Sequence, residues 1–201
     1  INQQLTFEKA ESYFAKRSLP FGDQQKRTLN IIGSDGTYTN LGMLLSDQCV
    51  HPIKLAVFDG SKKSVFRDRK ELSGSLLTQL EDAYSYIDQF NHTRAEFEGL
   101  ERIDRRDYPS EALREALLNA ITHPNLANVF YRLKLIEAYG TGILKINESY
   151  ADFAVKPQFE VTDNAFKITL PNINYAGARK DVTATAPLKV TDKAERREKL
   201  L

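Results

Sequence analysis

The chain is 201 residues long, 41% hydrophobic and 27% charged, with a formal net charge of +1. That composition supplies enough apolar mass for one sizeable core or two small ones and excludes wholesale disorder, while the near-zero charge removes any whole-molecule attraction to DNA or an anionic membrane. No apolar run approaches the ~20 residues that span a bilayer and no signal-peptide pattern opens the chain, so the expected location is the cytoplasm, with no membrane partner.

Phe7 to Arg17 is predicted as a helix capped by Thr6, with Phe7, Ala10, Tyr13 and Phe14 on one face. Leu19-Pro20-Phe21-Gly22 breaks it. A second helix runs from Asp23 to Ile32, a turn covers Ser34 to Thr37, and a short third helix covers Thr39 to Ser46. This pair of helices looks like a helix-turn-helix, but Tyr38 to Ser46 has no Arg or Lys to read base edges, so packing is its expected use. The single cysteine, Cys49, fits a reducing compartment and is read as a small buried residue.

Ile53 to Phe58 and Val65 to Arg69 read as strands. Lys62-Lys63 and Arg67 to Lys70 form a basic cluster whose flanking acids point to a solvated face. Ser73 to Phe90 keeps helical spacing through Leu76, Leu77, Leu80, Ala83, Tyr84, Ile87 and Phe90. His51 and His92 have no companion ligand at zinc spacing. Ala95 to Ile103 is predicted as one strand, and Arg102, Arg105 and Arg106 are expected to pair with Asp104 or Asp107.

Asp107 to Glu111 opens a helix, with Pro109 tolerated in its first turn and acids favoured there. Another helix covers Asn125 to Ala138, and after Gly140-Thr141-Gly142 a further one covers Ile143 to Tyr150. Phe159 to Thr162 and Ala165 to Leu170 alternate apolar and polar around Asp163-Asn164, the pattern of a hairpin. Asn172 to Thr185 reads as a linker, and Asp192-x-x-Glu195 as the cap of a last helix, Lys193 to Leu201. Residues 179 to 201 hold seven Lys/Arg against four Asp/Glu. Because the chain starts at Ile1 and stops inside a charged helical pattern, it is expected to be a piece of a longer polypeptide.

The helix after Pro109 carries the chemistry. Glu115, Asn119 and His123 stand at i, i+4 and i+8, so a carboxylate, a carboxamide and an imidazole share one stripe, while Leu113, Ala116, Leu117, Ala120 and Ile121 form an apolar face. Such a stripe suits a magnesium–nucleotide site. The amide oxygen of Asn119 is a hard ligand for Mg²⁺, and Glu115 orients or deprotonates a water. The amides of Gly140, Thr141 and Gly142, at the start of a helix, attract phosphate. A plainer reading of the same residues stays open: an amphipathic helix with a solvated polar face, and a glycine pair that ends one helix before the next.

Glu115-x-x-x-Asn119-Ala120-x-x-His123 resembles the N-box of the GHKL nucleotide-binding fold of gyrase, histidine kinases and MutL, and Gly140-Thr141-Gly142-Ile143 resembles its last glycine box. The stretch Asn125 to Ile143, together with Thr37 to Ser46, Leu55 to Phe58 and Arg102 to Pro109, is similar to the divergent branch labelled as the C-terminal part of RecG-like ATP-dependent DNA helicases, whose members are called transcriptional regulators. The resemblance covers roughly residues 1 to 172.

The resemblance implies an α/β (α+β) fold in three parts: an N-terminal α/β segment over 1–92, a GHKL-like (Bergerat) two-layer sandwich over 93–172, and a linker with the start of a C-terminal helix over 173–201, where a winged-helix domain often begins. It also implies ATP and Mg²⁺ as cofactors, with Asn119 on the metal, Glu115 as the catalytic residue on the attacking water, Gly140, Thr141 and Gly142 on the phosphates, and His123 lining the pocket. DNA would be contacted through neighbouring domains, a Schlafen-like AlbA-type domain upstream or the winged helix downstream, and a homodimer fits the same picture. The sequence departs from the family at one point. Where relatives have tens of residues after the N-box histidine, including the nucleotide lid and the aspartate that recognises adenine, Pro124 here follows His123 directly. The alternative expectation is therefore a degenerate scaffold that binds no nucleotide and serves dimerisation or links DNA-binding modules.

Overall fold

Helical spacing of apolar residues, interrupted at Gly, Asn and Pro, sets most element boundaries in the computed structural model, which describes residues 3–58, 65–122, 124–137, 140–162, 165–176 and 188–192. In chain order the elements are α1 (Glu8–Ala15), α2 (Asp23–Thr28), α3 (Asn40–Leu45), β1 (Ile53–Phe58), β2 (Phe66–Leu72), α4 (Leu76–Gln89), β3 (Thr93–Glu98) and β4 (Glu101–Arg106). They continue with α5 (Ser110–Ile121), α6 (Pro124–Arg132), α7 (Gly142–Ser149), β5 (Gln158–Thr162), β6 (Ala165–Leu170), α8 (Ile173–Ala176) and β7 (Leu188–Asp192). The fold is mixed α+β with small sheets: β1-β2, the antiparallel pair β3-β4, and the antiparallel β5-β6-β7.

Two compact units interleave along the sequence. One comprises residues 1–55, 70–83 and 122–138, the other 56–69, 84–121 and 139–201. This division joins segments distant in sequence and separates α5 from α6 at Ile121/Thr122.

In the first unit, Phe7, Ala10, Tyr13 and Phe14 are buried along α1, and Phe14 stacks on Phe21 at 4.5 Å while Phe7 meets Tyr38 at 5.2 Å. Buried Lys26 lies 4.9 Å from the Phe7 ring and 3.5 Å from Glu11, so burying its charge is offset by an aromatic face and a carboxylate. The α3 helix packs closely on the preceding turn. Leu41 and Leu45 are buried, and a Cβ at Gly42 would sit 2.8 Å from the Ile31 carbonyl oxygen, so the region expected to pack rather than read DNA does pack. Fully buried Gln79 on α4 accepts a hydrogen bond from Ile53 N at 2.7 Å and donates to the carbonyls of Gly74 at 2.6 Å and His51 at 3.1 Å. From α6 come buried Leu126, Val129 and Phe130, and Leu133 follows them.

In the second unit, α5 packs against α7 and against β6 and β7. Ile168 and Leu170 of β6 are buried, as the alternation predicts. Asn91 anchors the approach to α5, accepting from Tyr108 N at 2.8 Å and donating to Tyr108 O at 2.9 Å. Tyr150, completely buried at the end of α7, donates its hydroxyl to Pro171 O at 2.8 Å.

Several expectations need correction. Thr6 does not cap α1: Asp47 accepts from Glu8 N at 2.8 Å and Lys9 N at 3.2 Å, and the Thr6 hydroxyl donates to the same carboxylate. The second helix ends at Thr28 because Asn30 turns left-handed, with φ +58. The helix expected to reach Ala138 ends at Arg132, ahead of Lys134 at φ +55. Ala95 to Ile103 is two strands folded about Gly99, whose φ of +65 suits glycine. The expected linker contains α8, held where Asn174 donates to Asp107 at 2.9 Å and Ile173 N to Asp107 O at 2.9 Å. Beyond it, β7 pairs with β6 and sets Asp192 opposite Phe166, in a strand rather than at a cap. His123, the turn at Asp163-Asn164, Lys62-Lys63 and the expected helix Lys193 to Leu201 lie outside the described residues.

Candidate functional site

The structure brings Glu115 and Asn119 of α5 against the first residue of α7. A Cβ placed on Gly142 would stand 2.6 Å from Asn119 Nδ2 and 2.9 Å from Glu115 Oε2, so both side-chain tips lie on the glycine backbone. The apolar face forms as the spacing requires: Leu113, Ala116, Leu117, Ala120 and Ile121 are all buried, joined by Ala112 and Leu118. The polar stripe is less open than expected. Glu115 is buried at 7% exposure and Asn119 is half-buried, because α7 lies over them.

Both groups have partners within α5. The Asn119 carboxamide donates from Nδ2 to the Glu115 carbonyl oxygen at 2.8 Å, a back-bond one turn along the helix that fixes the amide's orientation. The Glu115 carboxylate accepts from Arg114 Nη1 in an ion pair. Arg114 escaped the sequence reading because adjacent helical residues do not normally face each other.

Thr141 stands at the N-cap position of α7 in an αR conformation, and Lys145 N donates to its carbonyl at 2.9 Å. Gly140 precedes it at φ +65, with nothing within 4 Å of a notional Cβ, so its glycine serves backbone conformation while that of Gly142 serves close approach. The Glu115 carboxylate therefore sits at the positive end of α7, an arrangement that stabilises the acid. It also means that a phosphate approaching the same amides meets a negative charge unless a cation lies between them. His123 lies outside the described residues, so two members of the expected triad are brought together with the glycine bend.

Other candidate groups have structural partners. Arg102 pairs with Asp104 at 2.8 Å as expected, whereas Arg105 turns to Glu96 at 3.6 Å and Arg106 to Asp88 at 2.9 Å. Asp107 is approached by Arg94 at 3.8 Å and His92 at 3.7 Å. Cys49 is buried, and burial pushes its thiol up, away from thiolate chemistry. Among the described residues no group of three or more His, Cys, Asp or Glu is arranged to hold a metal ion, and no helix is long and apolar enough to cross a membrane.

No family model and no curated protein sequence matches the chain. The fold is similar to the crystal structure of the DIP2311 protein from Corynebacterium diphtheriae, with a TM-score of 0.67 at 17% identity, over 81% of this chain and 43% of that one. At that identity the likeness is one of fold, and the chain spans less than half the length of this structural relative.

Proposed function

We propose that the α5–α7 junction is the phosphate and Mg²⁺ site of a GHKL-like domain belonging to a transcriptional regulator, and that Mg–ATP is its ligand. The observation that carries this reading is the contact of Glu115 and Asn119 with Gly142 at the start of α7. A magnesium ion uses one or two protein oxygens and completes its shell with phosphate oxygens and water, so a single carboxylate and a single carboxamide beside helix amides fit it. Asn119 Oδ1 would hold the ion, and Glu115 would orient a water and take its proton. The amides of Gly140 to Gly142 would receive the phosphates, and His123 would line the pocket. When bound, the ion screens the triphosphate from Glu115. DNA contact belongs to neighbouring domains.

A second reading, a non-binding scaffold, draws on the Asn119 back-bond and the Arg114–Glu115 pair, which satisfy these polar groups without any ligand. Thermal denaturation of the chain with ATP, with and without Mg²⁺, separates the two. A binder melts higher with Mg–ATP by mass action, loses the gain with EDTA, and loses it again in Asn119→Ala. No shift at millimolar nucleotide in the wild-type chain refutes the nucleotide site and leaves the scaffold.

A further inference from the structure

The β3-β4 hairpin is a two-stranded sheet whose residues are largely exposed on both faces: Phe97 is 72% exposed, Leu100 at the tip is fully exposed, and of the twelve strand residues only Ile103, Arg105 and Arg106 are even half-buried. A lone two-stranded hairpin is marginal in water, and its outer edges offer unpaired backbone groups to another strand. Among the described residues α8 meets β4, and Asn174 donates to the Arg105 carbonyl there at 3.2 Å.

The sequence of β4 selects its own partner. Glu101-Arg102-Ile103-Asp104-Arg105 is the charge complement of itself read backwards. Laid antiparallel on a second copy with Ile103 on the two-fold axis, Arg102 faces the partner's Asp104 and Glu101 faces the partner's Arg105, each twice. Other registers fail. A slip of one residue sets either Arg102 against the partner's Arg105 or Glu101 against the partner's Asp104, and a slip of two sets Arg102 or Asp104 against its own mate. Like charges directly opposite each other disfavour pairing. The equivalent arrangement of β3, centred on Ala95, offers only Arg94 against the partner's Glu96, with Glu98 beside His92 and Thr93 beside Phe97.

We propose that the outer edge of β4 pairs with β4 of a second copy of this chain, joining two hairpins into a four-stranded antiparallel sheet with Ile103 at its centre. The interface is isologous, so it closes as a dimer. The intrachain pair of Arg102 with Asp104 is exposed and half-buried Arg105 is paired with exposed Glu96 and Glu98 only at 3.6 and 3.9 Å, so these pairs contribute little and exchange for pairs across the axis. This association does not depend on the nucleotide reading.

Sedimentation equilibrium of the full chain over a concentration series tests it. The wild-type chain forms dimers that weaken as salt rises. Arg102→Asp and Asp104→Arg each set like charges opposite and raise the dimer dissociation constant by at least about tenfold. An equimolar mixture of the two single variants associates, because the paired acids of one face the paired arginines of the other, and the double variant Arg102→Asp/Asp104→Arg dimerises like wild type. Circular dichroism confirms that each variant is folded, which these exposed positions allow. A wild-type chain that stays monomeric at the highest concentration, single variants that dimerise as wild type does, or a mixture that fails to associate would each overturn the proposal.

Discussion

Gly142→Ala tests the junction most directly. The new methyl would lie 2.6 Å from Asn119 Nδ2, 2.9 Å from Glu115 Oε2 and 3.6 Å from Asn119 Cγ, where ordinary contact begins near 3.4 Å. Neither tip can yield freely. Asn119 is held by its bond to Glu115 O, and Glu115 is buried and paired with Arg114. Overpacking of this kind costs about 1–3 kcal/mol, and losing the Asn119 bond adds about 0.5–1.5 kcal/mol. Alanine's better helix propensity returns at most about 1 kcal/mol. The net loss is about 0.5–4.5 kcal/mol, which for 201 residues lowers the melting temperature by between about 1 and 18 °C. Combining the change with Asn119→Ala removes the shorter of the two close contacts, so the double variant should be less damaged than additivity demands, with a coupling of about 1 kcal/mol or more. Gly140→Ala is the control. Its cost of about 1–2 kcal/mol comes from backbone conformation alone and is indifferent to Asn119. A Gly142→Ala chain as stable as wild type, or strict additivity with Asn119→Ala, refutes the close approach of α5 and α7.

In the first unit, Gln79→Leu strands the amide of Ile53 and removes the donor that serves Gly74 and His51, lowering stability by about 2–4 kcal/mol in a urea titration. An unchanged urea midpoint would show that this glutamine does not tie the three segments together. At alkaline pH the buried tyrosines should act together. Tyr108 is pushed up to about 12 by burial and then by Asp107, and Tyr13 to about 12 by burial and then by its hydrogen bond to Glu81. Burial lifts Tyr150 further still. Above pH 10 the unfolded chain releases these protons while the native chain keeps them. Stability is therefore fully present below pH 10 and declines toward pH 12, with Tyr108 contributing a slope of up to about 1.4 kcal/mol per pH unit. Phenolate absorbance at 295 nm measured against pH should rise in two stages, exposed tyrosines first and these only with unfolding; a single stage would contradict their burial.

The long elements were legible because each repeats one period. Leu76 to Phe90 and Leu113 to Ile121 carry their helical spacing openly, and Ala165 to Leu170 its alternation. What escaped depended on residues far away or on too few residues to show a period. Asp47 caps a helix that begins some forty residues earlier, α8 is a single turn held by Asn174, and Gly99 folds a hairpin without the Asn-Gly or Asp-Gly pair that marks one in sequence.

The site was legible in the same uneven way. Spacing places Glu115 and Asn119 on one face of α5, but no pattern inside that helix shows that Gly142 will lie across them; the likeness to a glycine box raised that expectation, and the contact in the structure is a separate observation. The contact alone is ambiguous, because a helix joint and a nucleotide site both require a small residue where two helices nearly touch. The two demands part at the carboxamide. A joint needs only Asn119 Nδ2, which is already used on the Glu115 carbonyl, whereas a metal site needs Oδ1. Replacing Asn119 by Asp retains an oxygen at the metal position and removes the back-bond donor, so it should lower the stability of the free chain while preserving a Mg²⁺-dependent response to ATP. Loss of stability with no such response in either the wild-type chain or this variant would assign the contact to packing.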